Sequence, residues 1–211
     1  MRSVHFRIWL SRTIFESMLV VMSILLALGV REWQDSRVTQ QLINRSLESF
    51  ERELTQNKNR IEALYPYHVG LQSILAELQV ESHPDSEREL RNVLNGFQSA
   101  VLLTTAWDTA LATGALSDMD YELVYALSLT YSLQDRFRTL YNSGLIDLLN
   151  SNTTSETAPT LAYAASRYVN DITTAEGDLL AAYQEALEQL QADGTPPAET
   201  TTAAADESPP N

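Results

Sequence analysis

A run of 17 residues, Ile14 to Val30 (IFESMLVVMSILLALGV), holds a single charged side chain, Glu16, and constrains this chain more than any other feature. As a helix it is roughly 26 Å long, just short of a bilayer's hydrocarbon core. Trp9 and Trp33 bracket it 24 residues apart, about 36 Å along a helix, which places both indoles near the two headgroup levels as an aromatic belt. Arg2, Arg7 and Arg12 precede the run with no acid among them, whereas Arg31 and Arg37 follow it interleaved with Glu32 and Asp35. That arginine bias puts residues 1–13 in the cytoplasm and everything after residue 33 outside.

Three readings of the run compete. An uncleaved single-span anchor fits its length and belt. A cleavable signal peptide fits Ser17 to Leu28 as an apolar core with Ala27-Leu28-Gly29 as a small-residue cleavage site, but Glu16 and the long preceding segment depart from that pattern. Thirdly, Thr13-Ile14-Phe15-Glu16-Ser17-Met18-Leu19-Val20-Val21 resembles the start of type IV pilins and pseudopilins, which implies an assembly role for Glu16. Ser11 and Arg12 depart from that family where glycine and an apolar residue are usual. Pairing of Glu16 with Arg12 at i,i+4, at the wet edge of the bilayer, accounts for the carboxylate more simply. The anchor is the favoured reading.

Beyond the run, no proline or glycine occurs from Arg31 to Tyr65, so the helix is expected to continue outward and stop at Pro66. Ile43, Leu47, Phe50, Leu54, Asn57, Ile61 and Leu64 step by four and three, a heptad seam with one polar member. The seam suits either a parallel coiled-coil homodimer registered by Asn57 or, more simply, packing against helices of the same chain. Helical periodicity resumes over 67–80, and Ser86 and Glu89 form a capping box that opens a helix over 86–98. A short helix over 104–113 ends at Gly114. Ser117-Asp118-Met119-Asp120 then caps a long helix bearing Leu123, Leu127, Phe137, Leu140, Tyr141, Leu145 and Leu148, which Gly144 kinks or shortens. After the polar loop 150–157, Leu161, Ala165, Tyr168, Ile172, Ala175, Leu179, Ala182 and Ala186 again step by four and three. From Asp193 the composition turns to Thr, Pro, Ala and acid, which cannot bury a core.

Composition excludes several functions. With no cysteine there is no disulfide framework and no thiolate site, and 28 acidic against 14 basic residues argue against a nucleic-acid backbone as partner. No HExxH, GxSxG, P-loop or GxGxxG motif occurs. His68 reads as a cap or a partly exposed surface group, and Trp107 as a core side chain among Leu102, Leu103 and Leu111. Asp118, Asp120 and Glu122 lack the glycine turn and distal glutamate of a calcium loop and read as helix caps.

Residues 16–28 (ESMLVVMSILLAL) with Glu32-Trp33, Glu53-Leu54 with Asn57, Pro66-Tyr67-His68 with Leu71, Trp107-Asp108-Thr109-Ala110 with Thr113-Gly114-Ala115-Leu116, and Tyr121-Glu122 with Tyr131 together resemble a family of bacterial single-span inner-membrane proteins of unknown function. The resemblance spans roughly residues 8 to 141. It implies bacterial origin, one anchor and a helical outer region, and no activity.

The expected architecture is therefore all-α: a cytoplasmic N-terminus 1–13, a transmembrane helix 14–30 continuing into an extracytoplasmic antiparallel helical bundle 31–192, and a disordered acidic Pro/Thr/Ala-rich tail 193–211. Trp9, Glu16 and Trp33 are the expected anchor residues, and Asn57, His68 and Trp107 the candidate interaction residues. No catalytic, cofactor-binding or metal residue is expected. The expected partners are the lipid bilayer and an unidentified protein, a second copy of the chain included, and the expected role is a scaffold, sensor or interaction module of the inner membrane without enzymatic activity. A pilin-like subunit using Glu16 is the alternative, and an enzyme with an unrecognised site ranks third.

Overall fold

The structure is a computed structural model that describes the backbone of residues 3–80, 86–151 and 158–193, and the side chains of 18–79, 88–144 and 159–192. The protein is all-α, and the described residues contain no strand. Its elements are α1 (Ser3–Val80), α2 (Ser86–Asn95), α3 (Thr105–Thr113), a 3₁₀ turn (Ala115–Asp118), α4 (Tyr121–Ser151) and α5 (Ala158–Asp193).

Cross-chain hydrogen bonds give the directions. Lys58 reaches Gln184, His68 reaches Glu176 and Gln72 reaches Thr173, so α1 and α5 run antiparallel. Thr130 donates to the Ala182 carbonyl and Tyr168 to that of Tyr141, so α4 is antiparallel to α5 as well. The remaining rung runs against α1: the Gly96, Gln98, Val101 and Leu103 carbonyls meet Tyr67, His68, Arg60 and Asn57 in turn. The result is an up-down-up-down bundle whose second rung is not one helix. It consists of α2, an extended strap (residues 96–104) and α3.

The expected seam on α1 is the inner face of this bundle. Phe50, Leu54, Asn57 and Ile61 are buried and Ile43, Leu47 and Leu64 partly so, with α5 of the same chain as the principal neighbour. A homodimeric coiled coil along 50–61 is thereby replaced by intrachain packing. Each fully buried Leu, Ile or Phe contributes about 1.5–3 kcal/mol of transfer free energy. The α5 seam is likewise buried at Leu161, Ala165, Tyr168, Ile172, Leu179 and Ala186.

Two boundaries differ from expectation. α1 does not stop at Pro66 but runs through it to Val80. Proline removes the hydrogen bond to the Glu62 carbonyl. Both Glu62 and Pro66 face solvent, so the interruption falls on the outer face, while Leu71, Leu75 and Leu78 bury the inner face beyond. α2 ends at Asn95, three residues before the expected end at 98, because Gly96 opens the strap.

Gly144 does not end α4, which runs on to Ser151. It leaves room for the Tyr168 ring, since a Cβ at this position would lie 2.4 Å from Tyr168 Cε2. Gly114 closes α3 with a left-handed φ of 74°, the backbone region in which a side chain is strained.

Among the described residues no helix is long and apolar enough to cross a membrane. The described part of the apolar run, 18–30, amounts to roughly 20 Å of helix. Its large side chains are exposed around the whole circumference, from Met18 at 63% to Val30 at 47%, and no other described element covers them. The expected tail, 194–211, lies outside the described residues.

Candidate functional site

The inner face of α1 is a ladder of polar side chains at helical spacing, and each rung holds the strap or its flank. At the first rung, Glu53 is buried and takes the place of a local cap: its Oε2 accepts the Ala106 N–H at 3.0 Å in the first turn of α3. Thr104, the N-cap residue, makes no capping bond, its hydroxyl donating instead to Asp108. A carboxylate at a helix N-terminus is favoured by the backbone dipoles. Glu53 Oε1 accepts the Tyr131 hydroxyl at 2.7 Å, and burial together with that carboxylate pushes the Tyr131 phenol well above its ordinary range.

The second rung takes one group from each rung of the bundle. Asn57 accepts the Leu103 N–H at 2.9 Å and donates to the Leu103 carbonyl at 2.8 Å. Gln134 on α4 donates to the same carbonyl at 2.8 Å, and its Oε1 accepts from Asn57 at 3.2 Å and from the Tyr183 hydroxyl of α5 at 2.7 Å. Arg60 donates to the Val101 carbonyl one turn on.

At the third rung His68 is fully buried, and Glu176 with it. His68 Nδ1 lies 2.8 Å from Glu176 Oε1, and Nε2 lies 3.0 Å from the Gln98 carbonyl. Each ring nitrogen thus has an oxygen partner within the chain, one on α5 and one on the strap. Phe97 stacks on the imidazole at 4.9 Å and packs against Tyr141 and Tyr168. Glu176 Oε2 is buried without a hydrogen-bond partner.

Of the candidate interaction residues, Asn57 and His68 belong to this ladder. His68 is not the cap or partly exposed group expected, because its ring continues the α1 seam one step past Leu64 and is drawn inward by Glu176 and Gln98. Trp107 is partly buried and stacks on Tyr131 at 5.3 Å, with Phe50 beside it. Asp120 caps α4 as expected, accepting the Glu122 and Leu123 N–H groups. Trp33 is 56% exposed with the Arg37 guanidinium 4.2 Å above its ring. The side chains of Trp9 and Glu16 lie outside the described residues.

Sequence reasoning missed Gln134, Glu176, Tyr131 and Tyr183. Each sits at a three-or-four step of a seam whose apolar members were read: Leu127, Gln134 and Phe137 on α4, and Ile172, Glu176, Leu179 and Tyr183 on α5. A polar residue on an apolar seam was the available signal.

Apart from Glu176 Oε2, the side-chain groups of the ladder find their partners within the chain. Both His68 nitrogens and both Glu53 oxygens are engaged within the chain. Among the described residues no three His, Cys, Asp or Glu side chains are grouped to hold a metal ion. A groove of about 390 Å³ lies between α1 and the start of α3. Comparison with known protein families, curated proteins and solved structures finds no match to this chain.

Proposed function

We propose that this chain is a non-enzymatic scaffold or interaction module, held in a bacterial inner membrane by the start of α1 and carrying its helical bundle on the extracytoplasmic side. The observation that carries the reading is the continuity of α1. One helix joins the uncovered apolar stretch from Met18 to the inner face of the bundle without a break. A helix apolar around its whole circumference needs lipid or protein on all sides. Together with residues 14–17 of the sequence, that stretch reaches the 17 residues of a minimal span. Residues 31–41 are largely uncovered helix, roughly 16 Å of stand-off between bilayer and bundle.

The all-α body supports an anchor over a pilin-like subunit, whose first helix leads into a β-sheet domain. The intrachain pairing of most ladder groups supports a structural body over an enzyme.

The absence of cysteine makes the topology directly measurable. Single-cysteine variants Ser3→Cys and Ser132→Cys are treated with a membrane-impermeant maleimide in intact spheroplasts and after lysis, alongside alkaline carbonate extraction of membranes. The reading requires Ser132→Cys to be labelled in intact spheroplasts, Ser3→Cys only after lysis, and the chain to stay in the pellet. Release into the supernatant at full length would overturn the anchor. An intact mass starting near Val30 would indicate an exported, cleaved form, and one starting at Arg12 a pilin-like subunit.

A further inference from the structure

We propose that the groove between α1 and the strap–α3 corner is a binding site for a small organic anion, held by Arg45 and Arg52. The groove exists because the second rung of the bundle narrows there from a helix to an extended strap. Its α1 wall carries Arg45, Ser49, Arg52 and Gln56, and its far wall Thr105 and Thr109 at the start of α3. A volume of about 390 Å³ lies in the range of small-molecule pockets. A folded partner needs a broader contact surface than this groove offers.

Charge selects the ligand class. In a chain with twice as many acidic as basic residues, Arg45 and Arg52 face the same groove, and neither forms an ion pair among the described residues. The carboxylate on the wall, Glu53, is buried, and its two oxygens are occupied by the Ala106 N–H and the Tyr131 hydroxyl. Glu48 and Glu51 do not line this groove but a neighbouring, more open depression that shares Arg52 and Gln56 with it. Two guanidinium groups two helical turns apart, with hydroxyl and amide groups between and opposite them, match a ligand bearing anionic oxygens together with hydroxyls. Guanidinium groups bind carboxylate and phosphate oxygens in paired, charge-assisted hydrogen bonds. The attraction is local, because the overall negative field of the chain is screened beyond about 8 Å at physiological ionic strength. The assignment is independent of whether residues 14–30 span a bilayer.

The test is isothermal titration of the full-length chain in a non-ionic detergent, at constant ionic strength, with citrate and with inorganic phosphate as probes. Saturable one-site binding of either probe is expected, citrate alone indicating a carboxylate ligand and phosphate alone a phosphoryl one. The double variant Arg45→Gln/Arg52→Gln is expected to weaken it by about tenfold or more. Its thermal midpoint should be unchanged, since neither side chain holds the fold together. Arg136→Gln, on α4 away from the groove, is expected to bind as the parent does. Absence of saturable binding, full retention in the double variant, or equal loss in Arg136→Gln would each overturn the proposal.

Discussion

Asn57 and Leu103 exchange a reciprocal pair of hydrogen bonds, Leu103 N–H to Asn57 Oδ1 at 2.9 Å and Asn57 Nδ2–H to the Leu103 carbonyl at 2.8 Å. A side-chain amide thus gives an extended backbone what a neighbouring strand would give it. The strap needs this, because between its ends at Gly96 and Thr104 the backbone is not helical, and a backbone group buried without a partner costs about 1–3 kcal/mol.

Asn57→Leu keeps the volume of the residue and removes both bonds, leaving the Leu103 N–H and Gln134 short of partners in a dry layer. A loss of about 2–4 kcal/mol is expected from urea unfolding followed by circular dichroism. A loss below about half a kilocalorie per mole would show that water replaces the amide.

The His68–Glu176 pair is expected to be strongly non-additive. Each partner is fully buried, so His68→Leu leaves the Glu176 carboxyl group without its hydrogen-bond partner in the interior and should cost about 3–5 kcal/mol. The double variant His68→Leu/Glu176→Leu removes both polar groups together and should recover more than half of that loss. Additive losses in the double-mutant cycle would mean that the two groups are not coupled.

Alkaline unfolding should be cooperative and driven by tyrosine. Burial, and for Tyr131 and Tyr183 the Glu53 carboxylate as well, raises the phenols of Tyr131, Tyr168 and Tyr183 above their ordinary value. A raised folded value stabilises the fold fully below the unfolded value of about 10, and this stabilisation is lost as pH rises through it toward the folded values. Tyrosinate absorbance of these residues should therefore appear together with the loss of helical circular dichroism, not before it. Complete ionisation of all nine tyrosines with helix intact would contradict the burial.

Gly144→Ala pits two effects against each other. Alanine is favoured over glycine inside a helix by roughly 1 kcal/mol. The new methyl would, however, stand 2.4 Å from the ring of Tyr168, which is itself tied by its hydroxyl to the Tyr141 carbonyl. Overpacking is expected to win, with a net loss of about 1–2 kcal/mol in thermal unfolding. In Gly144→Ala/Tyr168→Leu the ring is gone, and the helix preference should then add back part of that loss.

The inner seams of α1 and α5, the cap at Asp120, the left-handed stop at Gly114 and the all-helical class were legible in the residues, because periodicity, capping and backbone preference act within one or two turns of chain. The apolar run at 14–30 was equally plain, since its lack of charge is a property of composition. The continuation of α1 through Pro66 was not legible: proline is a local stop signal, and only the packing of His68, Leu71, Leu75 and Leu78 against the bundle overrides it. Nor was the polar ladder. The step to His68 on the seam is visible, but whether a polar residue at such a position turns inward depends on partners distant in sequence, Glu176 being 108 residues away. Local rules determined what each segment wants to be, and the tertiary structure decided which polar groups meet, because a buried hydrogen bond is favourable only when both of its ends arrive together.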